Sequence, residues 1–238
     1  MNKLILCEGK IDAVFLGCYF GKVDWKKCQK APSGLEIKPD VDNQSTTWYK
    51  KGNDFLLICA VGGKENFKNF FENKIKKPLL YSNAPFERIA IVRDRDDEQT
   101  HDIETKINKA LQTVSATVHN RQWSVCRYRN EYGEKKSLKI LLLVIPPQRS
   151  GSLESLLLEA IAENTETEKI VDNAKAFTRQ MQGANCIPEN LKDKACLRVV
   201  WAIKYPDQSS TSFVEQIQKI PWKNYEAIQK CFSLLSEI

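Results

Sequence analysis

Apolar residues fall along the chain in short unbroken runs, each followed by a polar turn and then a stretch of helical spacing. Residues 3–7 (Lys-Leu-Ile-Leu-Cys), 55–61 (Phe-Leu-Leu-Ile-Cys-Ala-Val) and 88–93 (Arg-Ile-Ala-Ile-Val-Arg) read as strands buried on both faces. After the first come Ala13, Val14, Leu16 and Phe20, one face of a helix with Asp12 near its start. After the second come Phe67, Phe70 and Phe71, in a helix over 66–74 that Pro78 is expected to end. Residues 100–111 form a third helix candidate. This alternation predicts an α/β fold, a mostly parallel Rossmann-like sheet flanked by helices. Ligands of such sheets bind beyond the carboxyl ends of the strands.

The remaining segments change period. Residues 21–53 are rich in Lys, Gly, Pro, Asn and Ser and read as an irregular excursion with a short strand near 46–49. Residues 122–129 and 138–145 read as a hairpin around Tyr132-Gly133-Glu134-Lys135-Lys136, ended by Pro146-Pro147. Helices follow over 152–162 (Ser152 as N-cap, with Leu156, Leu157 and Ile161 inward), 165–181 and 193–204. The tail, 212–238, carries Phe213, Ile217, Ile220, Trp222 and a last amphipathic helix. The division expected is a catalytic core over 1–160 with a helical C-terminal elaboration, 161–238, packed on it.

Composition narrows the class. The 238 residues include 36 Lys and Arg against 30 Asp and Glu, a net charge of +6, with 42% apolar residues, the balance of a soluble globular protein. No apolar run approaches the ~18 residues of a membrane span, so no membrane partner is expected. The strand-like start argues against a signal peptide. The eight cysteines are never closer than ten residues, so no CxxC clip exists. They read as reduced, buried thiols of a cytoplasmic protein. His101 and His119 are the only histidines, too few for a His-rich metal site. Acid–base chemistry would then fall to carboxylates, Lys or a metal. Basic clusters over 22–30, 64–77 and 121–139 suit either a solvated surface or a nucleic-acid footprint.

The candidate chemistry lies at the strand ends. Glu8 follows the first strand, Gly62-Gly63 the second, and Asp94-Arg95-Asp96 the third. In a parallel sheet all three turns open on one edge, where converging carboxylates repel unless a cation lies between them. Hard oxygen ligands of this kind select Mg²⁺ or Mn²⁺. Asp97 and Glu98 read instead as helix caps or solvated turn residues.

Leu-Ile-Leu-Cys-Glu8-Gly9-Lys-Ile-Asp12, Ala-Val-Gly62-Gly63-Lys64 and Ile-Val-Arg-Asp94-Arg-Asp96 together resemble the Toprim domain of topoisomerases, primases and several nucleases, over roughly residues 3–100. Gly151-Ser152-Leu153-Glu154 is similar to a helix start in small stand-alone Toprim proteins and in overcoming-lysogenization-defect nucleases. The resemblance implies a Toprim-like fold and two-metal cleavage of DNA or RNA, in an anti-phage setting. It gives Glu8, Asp12, Asp94, Asp96 and Glu154 metal-facing roles, and Lys194, ahead of Lys192, a catalytic one. Asp12 and Glu154 read equally as first-turn helix charges, and both lysines as surface residues. Gly62-Gly63-Lys64 either cradles a phosphate or makes a turn needing positive φ. Arg95 beside the aspartates would weaken metal binding or hold a phosphate. No segment matches GxxxxGK[ST], so an ATPase partner would be a separate chain. The rival expectation is a non-catalytic Toprim scaffold that binds nucleic acid or docks on such an ATPase.

Overall fold

The computed structural model describes residues 1–208 and 213–238; Ser212, the start of the expected tail, lies outside them. Four apolar strands, β1 (Asn2–Cys7), β4 (Asp54–Ala60), β5 (Arg88–Asp94) and β7 (Lys135–Ile145), run parallel in the order β4-β1-β5-β7. Antiparallel strands finish both sides: β3 (Ser45–Lys51) and β2 (Lys26–Cys28) beyond β4, and β6 (Trp123–Arg129) beyond β7. Among the described residues this is one seven-stranded mixed sheet whose parallel part is central. The parallel strands are buried on both faces, as their unbroken apolar runs require. In β6 burial alternates, and Cys126 and Tyr128 point inward.

Two cores follow from the two faces. On one, Ile5, Cys7, Leu56, Ile58, Ala90, Val92, Leu141 and Leu143 pack with α1 (Lys10–Gly21) and α5 (Leu153–Ala162). The same core takes in α6 (Thr165–Gly183), α7 (Lys192–Lys204), Trp222 and α9 (Glu226–Phe232). On the other, Leu4, Leu6, Leu57, Ile89, Ile91 and Leu142 pack with α2 (Phe67–Phe70), α3 (Lys76–Tyr81) and α4 (Thr100–Ala110). Phe67, Phe70 and Phe71 all enter this second core. No helix among the described residues is long and apolar enough to cross a membrane.

Two local expectations need correction. The helix over 66–74 does not end at Pro78. A wide π-type turn over Phe71–Ile75 separates α2 from α3, and Pro78 sits in the first turn of α3. Helical backbone runs on from the wide turn into α3, and that turn, with its Lys76 N–H donating to the Phe71 carbonyl, gives room for a proline ring that a regular α-turn would crowd. The excursion over 21–53 contains β2 as well as β3. β2 is a polar three-residue strand on the sheet edge, Lys-Lys-Cys, held by main-chain pairing to β3 rather than by an apolar pattern.

Candidate functional site

Strand order reverses at β1, which has β4 on one side and β5 on the other. A crevice at the carboxyl ends follows from that reversal. Glu8 leaves β1 there and Asp94 closes β5. From β7 the chain returns through Gly151, which pairs with Asp96 by Asp96 N–H to the Gly151 carbonyl at 2.7 Å and the reverse bond at 2.9 Å. That bridge sets α5 beside the site, and the Leu153 N–H at its start donates to Asp94 Oδ1 at 2.9 Å. The expected N-cap is Ser152, and its own N–H donates to Ser155 Oγ.

Glu8, Asp12, Asp94 and Glu154 line one cavity of about 410 Å³, with Lys194, Asn43 and the Gly62-Gly63 turn. Asp12 Oδ2 accepts the Gly9 N–H at 2.7 Å, fixing the start of α1. Glu154 accepts from Ser152 Oγ at 3.0 Å and lies 3.4 Å from Lys194 Nζ. Lys192 turns elsewhere, 3.7 Å from Glu189, so of the two candidate lysines Lys194 is the one brought to the cavity.

Four carboxylates therefore share a cavity with two lysines, Lys10 and Lys194. Burial, then the charges of Asp12, Glu8 and Glu154, hold the Asp94 carboxyl well above the usual range. Burial, with Glu154 and Glu8 adding, pushes Asp12 up to about 7 against the Gly9 hydrogen bond. Glu8 is raised by burial and by Asp96, while Arg93 and Lys64 oppose. Its Oε2 is buried without a hydrogen-bond partner.

Asp96 and Lys64 do not line this cavity, although their charges reach Glu8. Asp96 adopts positive φ (49°), and its Oδ2 accepts from Lys64 Nζ at 2.8 Å. Of the two readings of Gly62, Gly63 and Lys64, the turn is the one these contacts describe, although both glycines line the cavity. The N–H groups of Gly62 and Gly63 both donate to the Glu8 carbonyl at 3.0 Å, and Lys64 is ion-paired. Gly62 has φ +87°, and a Cβ there would stand 2.7 Å from Asn43 Oδ1. The turn reading accounts for the glycine.

Behind the site lies a network that the sequence reading missed. Cys7 pairs with Val92, so the next residues, Glu8 and Arg93, stand beside each other. Arg93 is 1% exposed and donates to Glu98 Oε1 at 2.6 Å. Glu98 also accepts from Lys106 at 2.6 Å and lies 3.5 Å from Lys64. Glu98 is thus no solvated turn residue: burial raises its carboxyl, but bonds from Lys106 and Arg93 outweigh this and take it down to about 2. Asp97, by contrast, is exposed, as expected. An Arg closing an otherwise apolar strand was the available signal, since a buried guanidinium needs an anion.

Among the described residues no three His, Cys, Asp or Glu side chains are already gathered to grip an ion. The donor chemistry nonetheless fits Mg²⁺ or Mn²⁺. It is all oxygen, crowded with like charge, and includes the orphaned Glu8 Oε2. Mg²⁺ keeps several waters and takes only one or two carboxylates, so a loose set suits it.

The pH response follows with its sign. Asp12 titrates near 7 when folded, against 3.8 ordinarily, so the folded chain holds its proton over a range where the unfolded chain has lost it. Its contribution favours folding below pH ~4 and is lost as pH rises to about 7. Metal-free protein is expected to be more stable at pH 5 than at pH 8, and Asp12→Asn to flatten part of that slope. Urea unfolding in EDTA at both pH values measures it; equal stability of the wild-type protein at the two would contradict the buried acid.

A family model matches residues 2–237, and the chain belongs to that family, described as protein of unknown function (DUF3226). No curated protein matches. Among solved structures, the crystal structure of hypothetical protein PH0156 from Pyrococcus horikoshii OT3 is similar at 16% identity and a TM-score of 0.44, over 92% of this chain and 98% of that one.

Proposed function

We propose that this member of the DUF3226 family is a Mg²⁺- or Mn²⁺-dependent nuclease of Toprim type, hydrolysing phosphodiester bonds of DNA or RNA. The observation that carries the reading is the convergence of Glu8, Asp12, Asp94 and Glu154 on one cavity at the carboxyl edge of the sheet. A bound divalent ion would supply Lewis-acid stabilisation of charge developing on the phosphate oxygens. Asp94 and Glu8 are the residues best placed to hold it, with Asp12 and Glu154 beside them. The chain's own contribution is preorganisation. Leu153 N–H fixes the Asp94 carboxylate, Gly9 N–H fixes Asp12, and Ser152 and Lys194 hold Glu154. The Lys194 side chain, 46% exposed, brings its ammonium to the cavity where an entering phosphate would meet it. An anti-phage role with a separate ATPase chain, in the cytoplasm, extends the same resemblance.

Incubating the protein with plasmid, single-stranded DNA and RNA in Mg²⁺, in Mn²⁺ and in EDTA tests the reading. Cleavage in the metals alone supports it, and cleavage that persists in EDTA overturns it. Lys194→Ala is expected to lower kcat by ~10²-fold or more with KM little changed, because its charge acts on the transition state. A larger loss in Lys192→Ala would move that role to the other lysine. One observation favours the second reading, a non-catalytic scaffold: Asp96 is tied to Lys64 instead of facing the cavity. On that reading nucleic acid or an ATPase binds but nothing is cut.

A further inference from the structure

The cations over 121–139 find no place in the chemistry above, yet the fold gathers them. β6 and β7 pair Arg127 with Ser137 and Arg129 with Lys135, and β5 pairs Arg88 with Lys139. By strand alternation Arg88, Arg127, Arg129, Lys135 and Lys139 share one sheet face. Arg127, Arg129, Lys135 and Lys139 are exposed and Arg88 is partly so. This is the end of the sheet away from the candidate site: Arg88 lies six residues from Asp94 along β5, about 20 Å at ~3.3 Å per residue.

Two of these pairings, Arg88 with Lys139 and Arg129 with Lys135, set like charges directly opposite, an arrangement that destabilises a sheet. None of the five forms an ion pair with a described residue, and Arg129 bonds only the Gly133 carbonyl. The nearby acid Glu134 is taken by Lys136, whose side chain points to the opposite face. A surface that opposes cations twice without an anion is complementary to a polyanion. Side chains two apart on a strand are spaced ~6–7 Å, close to the spacing of successive phosphates along one nucleic-acid strand.

We propose that this face of β5, β6 and β7 binds the phosphate backbone of nucleic acid, as an attachment surface separate from the carboxylate cavity. It deepens the nuclease reading by giving the substrate a second point of contact, and it rests on that reading for the choice of nucleic acid over another polyanion. A labelled 20-nucleotide DNA, single-stranded and as a duplex, is titrated in EDTA by fluorescence anisotropy from about 50 to 200 mM salt, a range over which phosphate contacts weaken steeply. The double variant Arg127→Glu/Arg129→Glu is compared with Lys26→Glu/Lys27→Glu on β2, at the opposite edge of the sheet. The expected result is at least a ~10-fold weaker Kd for the first variant, with a log–log salt slope shallower by roughly 1–2 units, and a small change for the second. The milder Lys135→Ala/Lys139→Ala should shift Kd the same way by less. Equal losses in the β2 control would mean that net charge alone acts. Unchanged affinity in both β6 and β7 variants, no DNA binding by the wild-type protein, or binding to anionic phospholipid vesicles in place of DNA would each overturn the surface. Because EDTA removes cleavage from the measurement, failure here leaves the metal-dependence assay to judge the nuclease reading separately.

Discussion

Asp94→Asn is expected to lower phosphodiester cleavage by at least ~10³-fold, equivalent to about 4 kcal/mol of transition-state stabilisation at 1.36 kcal/mol per decade. The substitution is chosen for what it spares. Asn keeps an oxygen to accept the Leu153 N–H, so the junction between β5 and α5 stays closed. It takes away a carboxyl that burial and the charges of Asp12, Glu8 and Glu154 make costly to ionise. Metal-free Asp94→Asn should therefore be as stable as the wild-type protein or more so. Single-turnover cleavage and urea unfolding in EDTA read the two effects. Wild-type turnover in the variant would remove Asp94 from the chemistry. A marked loss of stability would make it a structural acceptor instead.

The largest expected loss of stability belongs to a different residue. Arg93→Ala takes a guanidinium out of a site that is 1% exposed and strips Glu98 of the partner that reaches it from the core, at 2.6 Å. Breaking a buried pair by removing one partner costs about 3–5 kcal/mol. In a domain of this size that lowers Tm by roughly 6–20 °C. Lys106→Ala removes a second partner of the same carboxylate, but Lys106 is half-exposed, and about 0–1 kcal/mol is expected. Thermal melts of the two variants side by side check the contrast. Equal small losses would mean that Glu98 is satisfied without Arg93.

How much of this could be read from the chain depends on the kind of interaction. The four central strands are legible because each carries an apolar run of four or more residues buried on both faces. Ends of such strands are fixed in turn, which is why Glu8 and Asp94 could be placed on one edge. Ser152 followed from a helix start, where local chemistry is strong, whereas Lys194 came only from the resemblance to Toprim nucleases. Asn43 was not legible: it reaches the Gly62 carbonyl at 2.7 Å from an irregular segment nineteen residues earlier. Glu98 was misread because its three cations come from β5, from α4 and from the turn after β4. No local pattern records such a meeting. Gly62-Gly63-Lys64 shows the same limit. Its composition fits a phosphate cradle, and only the contacts show its N–H groups already bound to the Glu8 carbonyl.

Thermal melts of wild-type protein and Asp94→Asn, in EDTA and in Mg²⁺, test the metal centre without any substrate. At a free ion concentration ten times Kd, binding adds ~1.4 kcal/mol by RT ln(1 + [L]/Kd). That corresponds to a Tm rise of roughly 3–6 °C for a protein of this size. The expected result is that rise in the wild-type protein and little of it in Asp94→Asn. An equal rise in both proteins, or none in the wild type at millimolar Mg²⁺ and Mn²⁺, would contradict a metal centre at the carboxylate cavity.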